Sequence, residues 1–347
     1  MRGLLFFLSF LVLWPIHSRA EQTKLRVTLQ LPISSHLGAN LLQFKAEVER
    51  NSEGAIAVDI YDNSRLYRDD QAVGAVASGA IEMASVTTKQ MTDKVPALGI
   101  IEQPFLFNSE ALVRAATDPD GEMRQLLDRA ILEAMGIRVL WWQSYGNSVF
   151  FSKARDVRHP DRLRGQKVRV AGENMVSFTR YCEGLPFLIS ASKQFQAIKD
   201  GTVDMIMTSI TGLVSRELWK VTDTITRTEH AALEFVVVIN EGVWQSLTEP
   251  QRQVMTGVAR EVERRLRQKM AEVDEAAYSF ARSKGMTIRS LTPDETSAWR
   301  ACSAPVLEHY MSNADASVKD VLAAYGRLRM QPCCNEGPQA DLKFTRH

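Results

Sequence analysis

No part of the sequence is continuously apolar for the roughly 20 residues that a membrane-spanning helix needs. The nearest approach, Leu4 to Ile16, is short and interrupted by Ser9 and Pro15. Net charge is also nearly absent, with 42 Lys+Arg against 41 Asp+Glu and a formal charge of +1. That balance gives no electrostatic case for nucleic acid, whose binders carry basic stripes or patches. Catalytic signatures are missing too: there is no Gly-x-Ser-x-Gly, Gly-x-x-x-x-Gly-Lys-[Ser/Thr], Gly-x-Gly-x-x-Gly or helical His-x-x-x-His, which weakens an enzyme reading without removing it. The four cysteines have no Cys-x2-Cys spacing and no nearby His, so neither a zinc site nor any other metal or cofactor is expected.

What is present is an ordinary globular composition, 45% apolar and 24% charged over 347 residues, long enough for two domains at roughly 150 residues each. Arg2, the apolar run and the small residues of Ser18-Arg19-Ala20 read as a secretory signal peptide over residues 1–20. Its removal takes Lys+Arg from 42 to 40 and leaves a charge of −1. In an exported chain four cysteines allow three pairings. The spacing favours none, and the adjacent Cys333 and Cys334 are not expected to pair with each other.

The chain alternates strand and helix patterns. Leu25 to Leu29 is apolar at every second residue, and Leu37, Leu41, Phe44 and Val48 then recur at helical spacing. A second strand covers Ile56 to Ile60 and a second helix Asp69 to Ser78, which together imply an α/β protein with a largely parallel sheet. The segment Gly79-Ala80-Ile81-Glu82-Met83 has a counterpart in Gly201-Thr202-Val203-Asp204-Met205. In each copy a helix-stopping Gly precedes a strand with an acid at the same offset, which suggests two lobes of related architecture. Strand patterns at 137–142 and 149–152, separated by Ser144-Tyr145-Gly146-Asn147, predict a crossing between lobes, and Phe235 to Asn240 predicts the return. Thr248, with Pro250 and Gln251 behind it, caps a periodic run to Gly285. About 36 residues at ~1.5 Å each make a helix of roughly 54 Å, long enough to brace both lobes. A further helix starts at Thr292, and the tail from Gln331 has no apolar period and is expected to be dispensable for binding.

Few side chains suggest chemistry. His230 beside Glu229 is a candidate base, but a lone His is more often structural, and His36 is weighted the same way. Cys182 reads as a small core residue. In Lys167-Val168-Arg169-Val170 the valines take one strand face and the cations the other. A guanidinium held on a strand between lobes presents the planar fork that takes a carboxylate through two hydrogen bonds.

Gly165-Gln166-Lys167-Val168-Arg169-Val170, Gly201-Thr202-Val203-Asp204 and Glu229-His230 before an apolar strand, in that order, resemble the periplasmic substrate-binding proteins of tripartite ATP-independent (TRAP) transporters, the family that includes the C4-dicarboxylate-binding proteins. Phe44 to Glu49, Tyr61 to Leu66, Gly79 to Ala84 and Pro104-Phe105-Leu106-Phe107 extend the resemblance over about residues 24–330. It implies a two-lobed flytrap that binds an organic acid without turning it over and delivers it, from the periplasm, to a permease of small and large membrane subunits. The family's carboxylate-binding Arg falls on Arg169. The Asn that often accompanies it falls on Thr208, a departure, and a second family Arg has no match around Asn147 and Ser148. Thr87 and Gln30 take the polar positions of the first lobe.

The expectation is therefore a receptor for a monocarboxylate, with ligand-binding residues Arg169, Thr208, Gln30, Thr87, Ser209 and Asn147. Lobe I is expected at 22–146 plus about 236–275, lobe II at about 147–235 plus 276–330, and the tail at 331–347. A short last helix favours a monomer. The rivals are an exported α/β enzyme using His230 or an acid, and a receptor serving a sensor or an ATP-driven importer.

Overall fold

The computed structural model describes residues 22–107 and 109–335; the expected signal peptide and most of the tail lie outside them. Parallel strands open the chain. β1 (Thr23–Leu29) pairs with β2 (Ile56–Tyr61) and β3 (Met83–Thr87). Between them run α1 (His36–Asn51), capped by the Ser35 hydroxyl, and α2 (Asp69–Ala77). The residues read at helical spacing, Leu37, Leu41, Phe44 and Val48, are all fully buried. After α3 (Glu110–Ala116) and α4 (Glu122–Met135) comes β4 (Ile137–Ser152).

β4 joins the two halves of the molecule. The expected break at 144–147 is absent: one strand of 16 residues runs through, pairing first with β9 (Ala232–Asn240) and then with β7 (Met205–Ser209) from Ser148 and with β8 (Thr224–Arg227) from Phe150. Turn-type residues produce a register shift between Ser144 and Asn147 instead of a loop. Gly146 takes φ +85° there, and a Cβ would come within 3.0 Å of Asp274 Oδ1 and Ser209 Oγ.

The second half repeats the parallel plan with β5 (Lys167–Val170), α5 (Glu173–Tyr181), β6 (Leu185–Leu188), α6 (Gln194–Lys199), β7 and α7 (Thr211–Ser215). The strand order is β2-β1-β3-β9-β4-β7-β5-β6, with β8 also beside β4. The repeated Gly motif has one structural purpose in both halves. Gly79 and Gly201 adopt φ +76° and +74°, and the following acid reaches back to the neighbouring strand. Glu82 accepts from the Arg26 backbone N–H at 2.8 Å and Asp204 from that of Lys167 at 2.8 Å.

After α8 (Glu241–Ser246), α9 (Glu249–Ser283) is the long brace, started by the Thr248–Gln251 capping box. Its 35 residues extend about 52 Å at ~1.5 Å each. Met255, Val258, Val262 and Leu266 pack with β1 and α1, while Ala277, Tyr278 and Ala281 pack with Ile206 and Ile225 of the other half. β10 (Thr287–Ser290) pairs with β8, and α10 (Pro293–Ser312) buries Trp299 and Val306 against α5 and β5. α11 (Ala316–Arg329) returns to the first half, where Val318, Val321 and Leu322 join Leu112 and Leu127, although the sequence grouped this stretch with lobe II. The first tail residues also pack: Cys334 is fully buried in the same core.

A disulfide ties Cys182, at the end of α5, to Cys302 in α10, 120 residues away; Cys182 is thus a buried crosslink and not a free core thiol. Cys333 and Cys334 are paired with each other, contrary to the sequence expectation, within a turn. Replacing Cys182 and Cys302 together by Ser is expected to cost about 2–4 kcal/mol of stability and to leave ligand affinity unchanged, as read by urea denaturation and calorimetry.

Asp274 of α9 faces the Gly146 crossing, and its Oδ1 is buried without a partner. Burial, with help from Glu229 and Glu110, pushes its carboxyl up to about 7 from an ordinary 3.8, while Arg227 opposes the shift. Between those values the folded state holds a proton that the unfolded chain has lost. The contribution of Asp274 to stability is therefore complete at low pH and lost as pH rises through 7. Asp274→Asn should match the wild type in denaturation midpoint near pH 4 and exceed it at pH 8.

Candidate ligand-binding cleft

A cleft of about 380 Å³ opens between the halves at the ends of β1, β3, β5, β6 and β7. Arg169 sits in its wall. Val168 and Val170 are fully buried, as the alternation requires, but Arg169 is only 2% exposed, so both strand faces are covered. The guanidinium is fixed by two backbone carbonyls: Nε donates to Ile189 O at 2.8 Å and Nη1 to Met207 O at 3.1 Å. Nη2 is buried and has no partner. Burial, reinforced by the Arg216 cation and partly offset by Asp69, pushes the Arg169 pKa down to about 10. Lys167, the other cation of the strand, is part-exposed and donates to Gly201 O at 2.7 Å, away from the cleft lining.

The structure brings Gln30, Thr87, Arg169 and Thr208 into this one lining. Gln30 follows β1, Thr87 ends β3, and Thr208 lies on β7 opposite Val149. Ser209 is fully buried but not in the lining; its hydroxyl meets Thr211 Oγ1 at 3.0 Å and accepts from the Thr211 backbone at 3.2 Å, starting α7. Asn147 lies at the crossing, paired with Ala232, also outside the lining.

Several lining residues were missed by sequence reasoning. Arg216, just after α7, donates from Nη2 to Gln30 O at 3.2 Å, across the two halves, and its Nε is buried without a partner. Burial lowers its pKa. Asp69, the first residue of α2, accepts from Ser190 Oγ at 2.7 and 2.9 Å, a second contact between halves. Gln194, 1% exposed at the start of α6, has an unpartnered Oε1. Tyr145 closes the floor, tilted on Phe235 at 5.2 Å and stacked on His36 at 5.5 Å.

Charge in the cleft is unequal. Lys89 faces Glu102 at 3.9 Å and Glu234 pairs with Arg267 at 3.1 Å, so those charges are matched. Asp70, Asp93 and Glu173 are exposed at the rim. The interior then holds two cations, Arg169 and Arg216, against one carboxylate, Asp69, an excess of one positive charge. An oxyanion placed there would meet the two partnerless N–H donors of Arg169 Nη2 with little water to screen the charge.

Neither His230 nor His36 belongs to the cleft lining. His230 is fully buried, stacked on Phe178 at 4.8 Å, with Nδ1 2.7 Å from Thr228 Oγ1, and burial pushes its pKa down to about 3. His36 begins α1, with Nε2 donating to Ser144 O at 3.1 Å, and burial lowers its pKa to about 4.

Residues 30–313 match the family described as bacterial extracellular solute-binding protein, family 7. A "solute-binding protein" of Verminephrobacter eiseniae is 28% identical over 273 residues, covering 78% of this chain and 80% of that protein. Among solved structures, an extracytoplasmic solute receptor of Bordetella pertussis binding pyroglutamic acid superposes with TM-score 0.82 at 21% identity, covering 88% of this chain and 99% of the other. A TRAP periplasmic solute-binding protein of Sulfurospirillum deleyianum with bound succinate gives 0.80 at 21% identity, with 87% and 99% coverage. The fold is therefore the two-lobed one of these receptors, and the chain belongs to family 7 of the bacterial extracellular solute-binding proteins.

Proposed function

We propose that this protein is a periplasmic receptor that closes its cleft on an organic acid and hands it to a TRAP permease of small and large membrane subunits for ion-gradient-driven uptake. The observation that carries the reading is Arg169 Nη2: a buried, partnerless cationic donor in the wall of an interlobe cleft. A buried charge without its counterion is costly, and a ligand carboxylate removes that cost.

The reading includes one carboxylate. Two interior cations against Asp69 leave a single positive charge for the ligand to neutralise, whereas a second carboxylate would approach Asp69. The receptors of similar fold do not choose between these, since pyroglutamic acid carries one carboxyl and succinate two. Closure involves the crossings near 144–148 and 233–236, which separate one lobe at about 22–146 plus 236–275, joined by α11 (Ala316–Arg329), from a second at about 147–235 plus 276–315. The protein acts as a monomer and performs no chemistry on its ligand.

A thermal-shift screen of small carboxylic acids, each beside its neutral primary amide, tests this. An acid at 100 times its Kd should add about 2.7 kcal/mol to stability, and its amide should add almost nothing. Equal stabilisation by acid and amide would remove the charge clamp from the account.

A further inference from the structure

Building on the acid-receptor reading, we infer that the ligand bears hydroxyl groups on the part remote from its carboxylate, so that the cleft takes a hydroxylated monocarboxylic acid. Beyond Arg169 the lining contains polar groups with nothing to bind. Gln30 and Gln194 are 5% and 1% exposed, and the Oε1 of each is buried without a partner. They come from opposite halves, Gln30 after β1 and Gln194 at the start of α6. Asp69, also in the lining, receives only the single proton of Ser190 Oγ and keeps acceptor capacity.

The chemistry of these groups selects the ligand's other substituents. A hydroxyl donates one hydrogen bond and accepts two, so it satisfies a carboxamide in either orientation and also a carboxylate. A second carboxylate only accepts, and it would bring a like charge to Asp69. An ammonium only donates, and it would sit beside the Arg169 and Arg216 cations. A bare methylene chain would leave both amides buried and unpaired, which is the costly outcome for a polar site. Sites built to hydrogen-bond a substrate hydroxyl reject the analogue lacking it far more strongly than apolar pockets reject an extra methylene.

The test is calorimetry on ligand-stripped full-length protein with paired probes. Erythronate is set against butyrate, gluconate and glucuronate against hexanoate, and succinate and adipate supply the second carboxylate. The expected result is that at least one hydroxylated monoacid binds about 100-fold or more tightly than its deoxy partner. In Gln194→Leu, and independently in Gln30→Leu should one variant fold poorly, that ratio should shrink about tenfold, with the hydroxylated acid weakened and the deoxy acid bound as well as or better than in the wild type. Deoxy acids binding as tightly as their hydroxylated partners, a di-acid binding most tightly, or no hydroxylated probe binding at all would overturn the inference. If the preferred deoxy acid or di-acid is lost in Arg169→Ala, the acid-receptor reading survives; if its binding is indifferent to Arg169, that reading falls as well.

Discussion

Arg169→Ala should abolish most of the affinity for the acid ligand, at a cost of about 2–5 kcal/mol, or roughly 30-fold to roughly 4,000-fold in Kd. The size of the loss follows from burial. The side chain is 2% exposed, its Nε and one N–H of Nη1 are committed to Ile189 O and Met207 O, and Nη2 keeps both of its N–H donors for a ligand. Removing the guanidinium leaves a ligand carboxylate in the closed cleft without its main counterion. Arg169→Lys keeps the charge but cannot make the two backbone bonds and still present a donor in the same plane, so it should also weaken binding substantially. Arg169→Met fills the same space without charge and separates the loss of the clamp from loss of packing. Lys167→Ala is the internal control: that ammonium is spent on Gly201 O outside the lining, and affinity should hardly change. Wild-type affinity in a folded Arg169→Ala protein would sink the clamp.

Glu263→Leu should cost about 1–3 kcal/mol of stability, because it removes the central acceptor of a buried ionic chain and leaves donors of two guanidinium groups unsatisfied. Glu263 of α9 is 2% exposed, and its Oε1 accepts from Arg124 Nη1 at 2.9 Å and from Arg267 Nε at 3.4 Å. Arg124 continues to Asp128 at 2.7 Å and Arg267 to Glu234 at 3.1 Å, so acids and cations alternate from α4 across α9 to β9. Without Glu263 the two buried guanidinium groups lose their shared acceptor, Arg124 keeping Asp128 and Arg267 keeping Glu234. Glu263→Gln retains one acceptor oxygen and should lose less. The comparison is Arg260→Ala on the same helix, whose partner Asp120 is exposed, with side-chain exposures of 57% and 69% for the pair. An exposed pair of this kind contributes about 0–1 kcal/mol. Urea denaturation of the three variants at one pH should separate Glu263→Leu clearly from Arg260→Ala. Equal midpoints would mean that the chain is braced by packing alone.

Much of the architecture follows from local pattern. The alternation of Leu25, Val27 and Leu29, the helical spacing of Leu37 to Val48 and the Thr248 capping box each specify one element with few alternatives, and all three elements form as read. The paired glycines at 79 and 201 marked equivalent helix ends because only a left-handed backbone requires them. The crossing was legible in position but not in form. Tyr145, Gly146 and Asn147 look like a loop to a local reading, yet neighbours β9 and β7 hold that segment in one continuous strand.

The cleft was legible only where strand periodicity or the family resemblance pointed to it. Arg169, Thr87 and Thr208 lie on strands, and Gln30 directly follows one, so sheet geometry delivers them to a common edge. Asp69 and Ser190 are 121 residues apart and meet only because the two halves face each other. Arg216 follows a five-residue helix in a segment without period, and its approach to Gln30 O is a tertiary event that no spacing records. Ser209 lies outside the lining for the opposite reason: it is on the same strand as Thr208, but the pleat turns it away from that neighbour and into the start of α7.

The most direct measurement is mass spectrometry of small molecules released on denaturing gently purified wild-type protein and, from the same host and preparation, Arg169→Ala. The account requires that a carboxylic acid leave the wild type in near-stoichiometric amount and be absent or greatly depleted from the variant. Release of a neutral or cationic compound from the cleft, or of the same acid in equal amount from a folded Arg169→Ala protein, would contradict it.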